Sequence, residues 1–392
     1  MHGLLSPTTS DEARDAIADA AHSGATLDIR GGGSKAAIGA PRDATVLDMS
    51  AFNAMIDYDP AELVLTVGAG ARLADIQALV AEHNQMLAFE PFDHGPILGG
   101  ANAAATIGGV ISAGVAGSRR LSRGSVRDHL LGFKGVSGRG EAFVGGAKVV
   151  KNVTGYDLPK IICGSWGRLV ALTEVTLKVL PRPREQATLA LSGLEVDKAI
   201  AVMARAMGSQ AEVAAAAHIP AEASKRGALT LLRLEGFGPS VAARRGMLEA
   251  LLADEGSVQA LAPHDADALW SDLRTIAPLA DAPVLWRINA APSRAGAILA
   301  ALPAERSRWL MDWAGGLIWL AFDGEPSVVR NLAQAAGGHA ALVRAPEALR
   351  RSTPALQPQA PAVMALEARL RRAFDPAGVF ETGRFLDAPD AD

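Results

Sequence analysis

Seventeen of the chain's 40 glycines fall between Gly95 and Gly167, and this run constrains the fold more than any other feature. Between Gly99 and Ser118 the glycines alternate with alanines and β-branched residues instead of collecting in one flexible stretch. Glycine loses more backbone entropy on folding than any other residue, so a folded chain keeps many together only where its backbone must approach something closely. Bare N–H groups in such a backbone form concave nests that bind anions. A linker would be rich in Ser, Pro and polar residues, whereas this run is apolar between its glycines. It reads as a wall laid against a phosphate-bearing cofactor.

The chain has 392 residues, too many for one ordinary core, and suggests two or three domains. Its composition, 49% hydrophobic and 20% charged, is that of a globular protein. The net charge of −4 and the lack of a basic stripe interleaved with aromatics argue against nucleic acid. No segment reaches the roughly 18 to 20 uninterrupted apolar residues that span a bilayer, so no integral membrane segment is expected. Met1 to Pro7 does not resemble an export signal, which makes the cytoplasm the default location. Cys163 is the one cysteine, which excludes an internal disulfide and an iron–sulfur cluster held by this chain alone.

Periodicity predicts a helix over residues 9–22, capped by Thr9 or Ser10, with Glu12 near its first turn and Ala13, Ala16, Ile17 and Ala20 on one face. Strands follow at 26–30, 45–49 and 63–67, then a helix at 73–83 and a strand at 172–179. The Pro181–Arg184 break separates a first domain, 1–181, from a second, 185–392, whose last segment returns to the first. In the second domain, strands near 187–191, 229–234 and 317–322 alternate with alanine-rich helices near 197–207, 240–254 and 293–302. This predicts an α+β layer with helices on one face of a mostly antiparallel sheet. Residues 346–361 read as a proline-rich loop and 362–373 as a last helix.

Three phosphate cradles compete. No Walker loop occurs. The dinucleotide fingerprint matches loosely at Gly31, Gly33 and Ala36, with Asp48 on the next strand. A Rossmann crossover takes at least about ten to twelve residues including its helix, yet only residues 36–44 stand between Lys35 and Thr45, broken by Gly39 and Pro41. The loop must therefore join neighbouring elements directly, with its N–H groups toward a pyrophosphate. On that reading a Gly32→Glu change would put a side chain and a negative charge in the pyrophosphate's path.

The stretches Arg30–Lys35, Ala105–Gly109, Gly124–Asp128, Gly155–Leu158, Gly164–Gly167 and Glu174–Leu177 occur in this order over residues 1–181. They resemble the two-lobed FAD-binding domain of the vanillyl-alcohol oxidase/p-cresol methylhydroxylase (PCMH-type) flavoproteins. With Lys148–Leu158 and Phe374–Arg384, the whole chain is similar to the FAD-binding E subunits of bacterial glycolate oxidases. The resemblance implies FAD as cofactor and oxidation of a short 2-hydroxy acid to the 2-oxo acid. It also implies a complex with a second flavoprotein and an iron–sulfur subunit, through which the chain would meet the inner membrane peripherally. By position it makes cofactor contacts of Arg30, Gly31, Gly32, Gly33, Ser34, Lys35, Gly99, Gly100, Thr106, Gly108, Gly109, Gly114, Gly117, Ser118, Ser125 and Asp128. Gly164, Gly167, Glu174 and Val175 would lie near the flavin or the adenine.

Departures from the family carry as much information. Covalently flavinylated relatives usually have a histidine just after the glycine triplet, where this chain has Ser34, so non-covalent FAD is expected. The metal-binding histidine segment of related hydroxy-acid dehydrogenases is missing, and His339 has no histidine or acid close in sequence. No metal ligands and no catalytic base are identified. His94 and His129 read as structural, and His264 as part of a helix start. Arg287, flanked by apolar residues on an expected strand, suits a carboxylate clamp, a surface ion pair or a partner contact, and Arg384 shares the ambiguity. Trp286, Trp309, Trp313 and Trp319 read as core or interface, Lys148 and Lys151 as a solvated patch, and Cys163 as a small buried hydrophobe. Rival functions are a self-sufficient FAD-dependent dehydrogenase and a structural subunit whose FAD is not catalytic. A NADPH-dependent reductase is disfavoured for want of a second dinucleotide signature.

Overall fold

The computed structural model describes residues 3–100, 102–147 and 156–386, so the motif from Lys148 to Gly155 lies outside the described residues. The chain divides into two compact units: Met1–Ala116, Gly124–Arg182 and Pro358–Asp392 make the first, Gly117–Arg123 and Pro183–Gln357 the second. The stretch Gly117–Arg123, kept with the first domain on sequence grounds, thus clusters with the second.

The first unit opens with β1 (Leu4–Leu5) and α1 (Ser10–Ser23). Thr9 Oγ1 accepts from the Glu12 N–H at 3.2 Å and the Glu12 carboxylate accepts from the Thr9 N–H, closing a capping box. Ala13, Ile17 and Ala20 are buried at a spacing of three and four, the stripe that fixes which face packs. Next come β2 (Leu27–Arg30) and β3 (Thr45–Asp48), which pair in parallel, with β1 beyond β3. Turns without a helix join β2 to β3.

A second sheet in this unit contains β4 (Met55–Asp59), β5 (Val64–Gly68), β6 (Leu130–Ser137), β7 (Ala142–Gly146) and β8 (Val170–Lys178), in the antiparallel order β4-β5-β8-β6-β7. Helix α2 (Leu73–Glu82) buries Leu73, Ile76 and Val80 against it, whereas Gln77 reaches outward to the Pro91 carbonyl at 3.3 Å. The glycine-rich run proves to be several things. Part is a helix, α3 (Ile107–Ala113), which the sequence reading passed over. Part is sheet: a Cβ on Gly135 of β6 would lie 2.7 Å from the Ala171 carbonyl oxygen of β8, so these strands approach closely only because that residue is glycine. That glycine serves sheet packing.

The second unit is built on one eight-stranded sheet, with β9 (Glu185–Ser192), β10 (Ala215–Ile219), β11 (Leu229–Gly236), β12 (Val258–Ala260), β13 (Leu285–Asn289), β14 (Arg308–Asp312), β15 (Leu317–Ala321) and β16 (His339–Arg344). Their order is β12-β9-β11-β10-β14-β15-β13-β16, and every neighbouring pair is antiparallel. Alternate residues, among them Leu189, Leu232, Trp286, Ile288, Ile318 and Leu342, pack beneath helices at Val196–Met207, Gly238–Leu251 and Pro326–Ala335. The helices are not confined to that face. The helix Pro263–Thr275 covers part of the other, where Trp270 Nε1 donates to Thr188 Oγ1 at 3.0 Å and the Arg233 guanidinium stacks on the Trp270 ring. Residues 346–361 are not all loop either, since Glu347–Ser352 forms a short helix. The last helix, Pro361–Phe374, and the turn after it belong to the first unit, where Val379 and Phe380 join the core of α1 and β2. Among the described residues no helix is long and apolar enough to cross a membrane.

Candidate functional site

Strand β2 ends at Arg30, and the loop Gly31–Ala36 leaves it along the rim of a cleft in the first unit. The opposite wall is Thr106, Gly108, Gly109 and Ser112 at and within α3, and Trp166, Gly167 and Arg384 close the side. The cleft encloses about 700 Å³ of empty space, its open mouth included, within the range of cofactor sites. Two backbones meet here at the shortest range that glycine allows. A Cβ on Gly32 would lie on the Ala104 carbonyl, 2.6 Å from its carbon, and one on Gly31 would lie 3.0 Å from the Thr106 methyl. Gly33 adopts a left-handed φ of 71° with open space beside it. Thr106 caps α3, its hydroxyl accepting from the Gly109 N–H at 3.4 Å. The glycine loop and the start of α3 are therefore one packed unit.

Charge in the cleft is lopsided. Asp28 is paired with Arg30 Nε at 2.7 Å and Arg42 Nη2 at 2.9 Å. Burial opposes its ionisation, but Arg42 and Arg30 outweigh this and hold the carboxyl below its usual range. Arg384 donates to the carbonyls of Lys35 at 2.6 Å and Ile38 at 3.0 Å and stacks on Trp166, 5.1 Å from the ring centroid. Burial, then repulsion from Arg42, pushes it down to about 9. Lys35 is buried, and among the described residues its ammonium meets only the Ser34 hydroxyl, at 3.5 Å, with no carboxylate in ion-pair range. Burial lowers its pKa to about 8, Asp93 pulling up and Arg384 pushing down. The Nε of Arg42 is buried without a hydrogen-bond partner.

A diphosphate fits this donor set. It offers only acceptors, and the cleft offers an ammonium whose one hydrogen bond among the described residues is a long one to the Ser34 hydroxyl, and a guanidinium N–H without a partner, beside a glycine backbone. The residues present thus suit the middle of an FAD molecule.

The structure brings Arg30, Gly31, Gly32, Gly33, Ser34, Lys35, Thr106, Gly108, Gly109 and Gly167 into one lining. It places the other sequence candidates elsewhere. Gly99 and Gly100 are exposed beyond a short 3₁₀ turn. Gly114 ends α3 beside Gly164, outside the lining. Gly117 and Ser118 belong to the second unit, where the Gly117 carbonyl accepts from Trp313 Nε1 at 3.0 Å and the Ser118 hydroxyl donates to Asp312 at 2.6 Å. Ser125 and Asp128 form the capping box of a short helix, the Ser125 N–H donating to the carboxylate at 2.7 Å. Glu174 is paired with Lys134 across β8 and β6 at 2.9 Å, and Val175 is fully buried in the sheet core. Neither His94, stacked on Phe92, nor His129, against Phe89, lines the cleft. Among the described residues no group of three or more metal-ligating side chains occurs.

Arg42 and Trp166 escaped the sequence reading, and Arg384 was left ambiguous. A signal for the first existed: Asp28 and Arg30 stand two apart on a strand and so share a face, and a buried acid there asks for cations.

Residues 1–146 match a protein family described as FAD binding domain. The chain is 34% identical to "Glycolate oxidase subunit GlcE" of Escherichia coli (strain K12) over 360 residues, 91% of this chain and 92% of that protein. The chain belongs to the GlcE family of FAD-binding oxidoreductases. More distant relatives share only part of this GlcE-family chain. "Glycolate oxidase subunit GlcD" of Bacillus subtilis (strain 168) is 30% identical over 49% of this chain and 38% of its own. A "D-lactate dehydrogenase" of Archaeoglobus fulgidus is 28% identical over 48% and 41%. Among solved structures, p-cresol methylhydroxylase with substrate bound superposes with a TM-score of 0.71 at 14% identity, over 99% of this chain and 89% of that one. At that identity the likeness shows the fold alone, an α+β architecture of the PCMH type.

Proposed function

We propose that this GlcE-family chain is the FAD-carrying subunit of a glycolate oxidase complex, which oxidises a short 2-hydroxy acid to the 2-oxo acid. The observation that carries the reading is the near full-length match to a glycolate oxidase subunit, and the cleft supports it by its fit to a diphosphate. FAD, when bound, supplies the redox chemistry as a two-electron acceptor. The chain's part is binding and orientation. Lys35 and the Arg42 Nε neutralise the diphosphate, the glycine loop gives it backbone N–H groups, and Arg384 holds Trp166 at the side of the cleft. No His, Cys or Tyr stands among the described lining residues, and Ser34 follows the glycine triplet, which together support a flavin held without a covalent bond. A single cysteine cannot hold an iron–sulfur cluster, so electrons leave toward a second flavoprotein and an iron–sulfur subunit. Residence in the cytoplasm, with contact to the inner membrane through those partners, belongs to the same proposal.

The test is the visible spectrum of the purified chain, before and after anaerobic addition of glycolate, alone and with its partner subunits. A two-band flavin spectrum that bleaches in the complex supports the proposal. Bleaching at full rate in the isolated chain would identify a self-sufficient dehydrogenase instead. A chain that takes up no flavin on reconstitution with FAD would overturn the reading.

A further inference from the structure

In the second unit, two arginines stand over one indole. The Arg120 guanidinium carbon lies 4.4 Å from the Trp313 ring centroid, and that of Arg287, at the centre of β13, lies 5.2 Å from it. Neither guanidinium hydrogen-bonds or ion-pairs with any described residue, unlike other arginines of the unit. Arg119 and Arg233 both grip Glu235, at 2.8 and 3.1 Å, and Arg244 donates to the Glu235 carbonyl at 2.7 Å. Asp312 is committed, accepting from the Ser118 hydroxyl and from the Trp313 N–H. These same bonds, with that from Trp313 Nε1 to the Gly117 carbonyl, hold the indole and the backbone before Arg120 in place. His339 lies close enough that burial, Arg287 and then Arg120 lower its pKa, so the two arginines gain no acid from that side.

Two guanidinium ions kept near each other without a counter-charge repel one another, and desolvation adds to the cost. Burial and Arg120 together push Arg287 down to about 10. A protein that fixes its scaffold with paired arginines and leaves these two unpaired, on the face of one ring, has the makings of an anion site. The planar fork of arginine matches a planar carboxylate through two parallel N–H bonds, and the arginine on one indole face keeps its N–H edge free for a ligand. We propose that Arg120 and Arg287 bind the carboxylate of the 2-hydroxy acid, with Trp313 as the supporting surface. The assignment of the acid rests on the function proposed above; the two unpaired guanidinium groups do not.

The experiment is a titration of the FAD-loaded full chain with glycolate, followed by tryptophan fluorescence because Trp313 contacts both cations. The wild type should show a saturable change. Arg287→Gln and Arg120→Gln should each weaken glycolate by roughly 10- to 100-fold, the range expected for charge-assisted hydrogen bonds, and Arg287→Lys should recover part of the loss. Flavin content should stay the same in all of them, since none of these residues lines the FAD cleft. Should Arg287→Gln fail to fold, Arg120→Gln, an exposed position, carries the test. Wild-type affinity in Arg120→Gln, or the absence of saturable binding to the wild type, would overturn the site. So would displacement of glycolate by an equal concentration of inorganic phosphate, which would mark a general anion site. The two proposals fail separately: glycolate that binds through these arginines but never reduces the flavin, even in the complex, refutes the function and leaves the site standing.

Discussion

Gly32→Ala is the sharpest probe of the cleft because it adds one methyl group where two backbones touch. The new Cβ would be 2.6 Å from the Ala104 carbonyl carbon, whereas carbon atoms rest at about 3.5–4.0 Å. The Ala104 carbonyl oxygen lies nearer still, so either the glycine loop or the segment before Thr106 must retreat by considerably more than about 1 Å. Neither can do so freely. The loop is tied to Arg384 through the Lys35 carbonyl, and residue 104 is tied to Asp93, whose carboxylate accepts its N–H at 3.1 Å. Overpacking of this kind costs about 1–3 kcal/mol; the glycine loop lines the cleft, and the other segment leads directly into Thr106, which also lines it. Thermal unfolding of the flavin-free chain should show that loss, and FAD fluorescence quenching on reconstitution should show affinity falling by at least tenfold. Gly33→Ala is the internal control: its Cβ meets open space, and the left-handed φ alone should cost about 1–2 kcal/mol. The prediction differs from the one that the sequence suggested, in which a side chain at 32 would fill the pyrophosphate's path, because the Cβ direction leads to Ala104. Unchanged stability and unchanged FAD affinity in Gly32→Ala would refute the close approach on which the site is built.

The pH dependence of the cleft should follow Lys35, whose pKa is about 8 against an ordinary 10.5. Between those values the unfolded chain binds more protons than the folded one, so this residue's contribution to flavin-free stability rises with pH across the window. FAD binding needs the ammonium, so its affinity should fall above about pH 8, and Lys35→Gln should flatten that profile in a fluorescence titration while weakening FAD throughout. Arg384→Leu removes charged donors from two loop carbonyls, and chemical denaturation should show a loss of roughly 2–4 kcal/mol; a loss under half of that would mean that the loop holds its shape alone. Acid precipitation should release all of the flavin to the supernatant, and a yellow pellet would disprove non-covalent attachment.

What the sequence made legible was whatever depends on periodicity and caps. Thr9 and Glu12 announced α1, and alternating apolar residues announced β9, β11 and β15, because those signals are local. The glycine run misled for a physical reason: a residue without a side chain carries no period, so a close strand crossing at Gly135 and a cleft wall at Gly108 look alike. The same blindness hid α3, seven residues with two glycines inside. Strand β10, mostly alanine, has strong helix propensity and is a strand only because its neighbours β11 and β14 bury it on both sides. Ser125, Asp128, Glu174 and Val175 illustrate a further limit. They stand in motifs that mark the family, yet here they cap a helix, pair across strands and fill a core, so a motif can record the scaffold of a site instead of its lining.

Charge offers the strongest link between the described cleft and its ligand. Arg30, Arg42, Lys35 and Arg384 bring four cations together, and the acids that face them are Asp28, in direct contact with two, and Asp93, acting on Lys35 from outside ion-pair range. The excess of two positive charges equals the charge of a diphosphate at neutral pH. Most of that excess is immobilised: Arg30 and Arg42 are held by Asp28 and Arg384 by carbonyls, so no large rearrangement is needed when the ligand arrives. Only Lys35 is left without a strong partner, and its depressed pKa measures what that costs the flavin-free chain. A diphosphate relieves that cost, which makes cofactor loading and folding of the first unit a single linked equilibrium. Hence at one fixed FAD concentration the flavin-free chain should gain more thermal stability than Lys35→Gln does, because the gain grows with [FAD]/Kd, and equal gains would break the link.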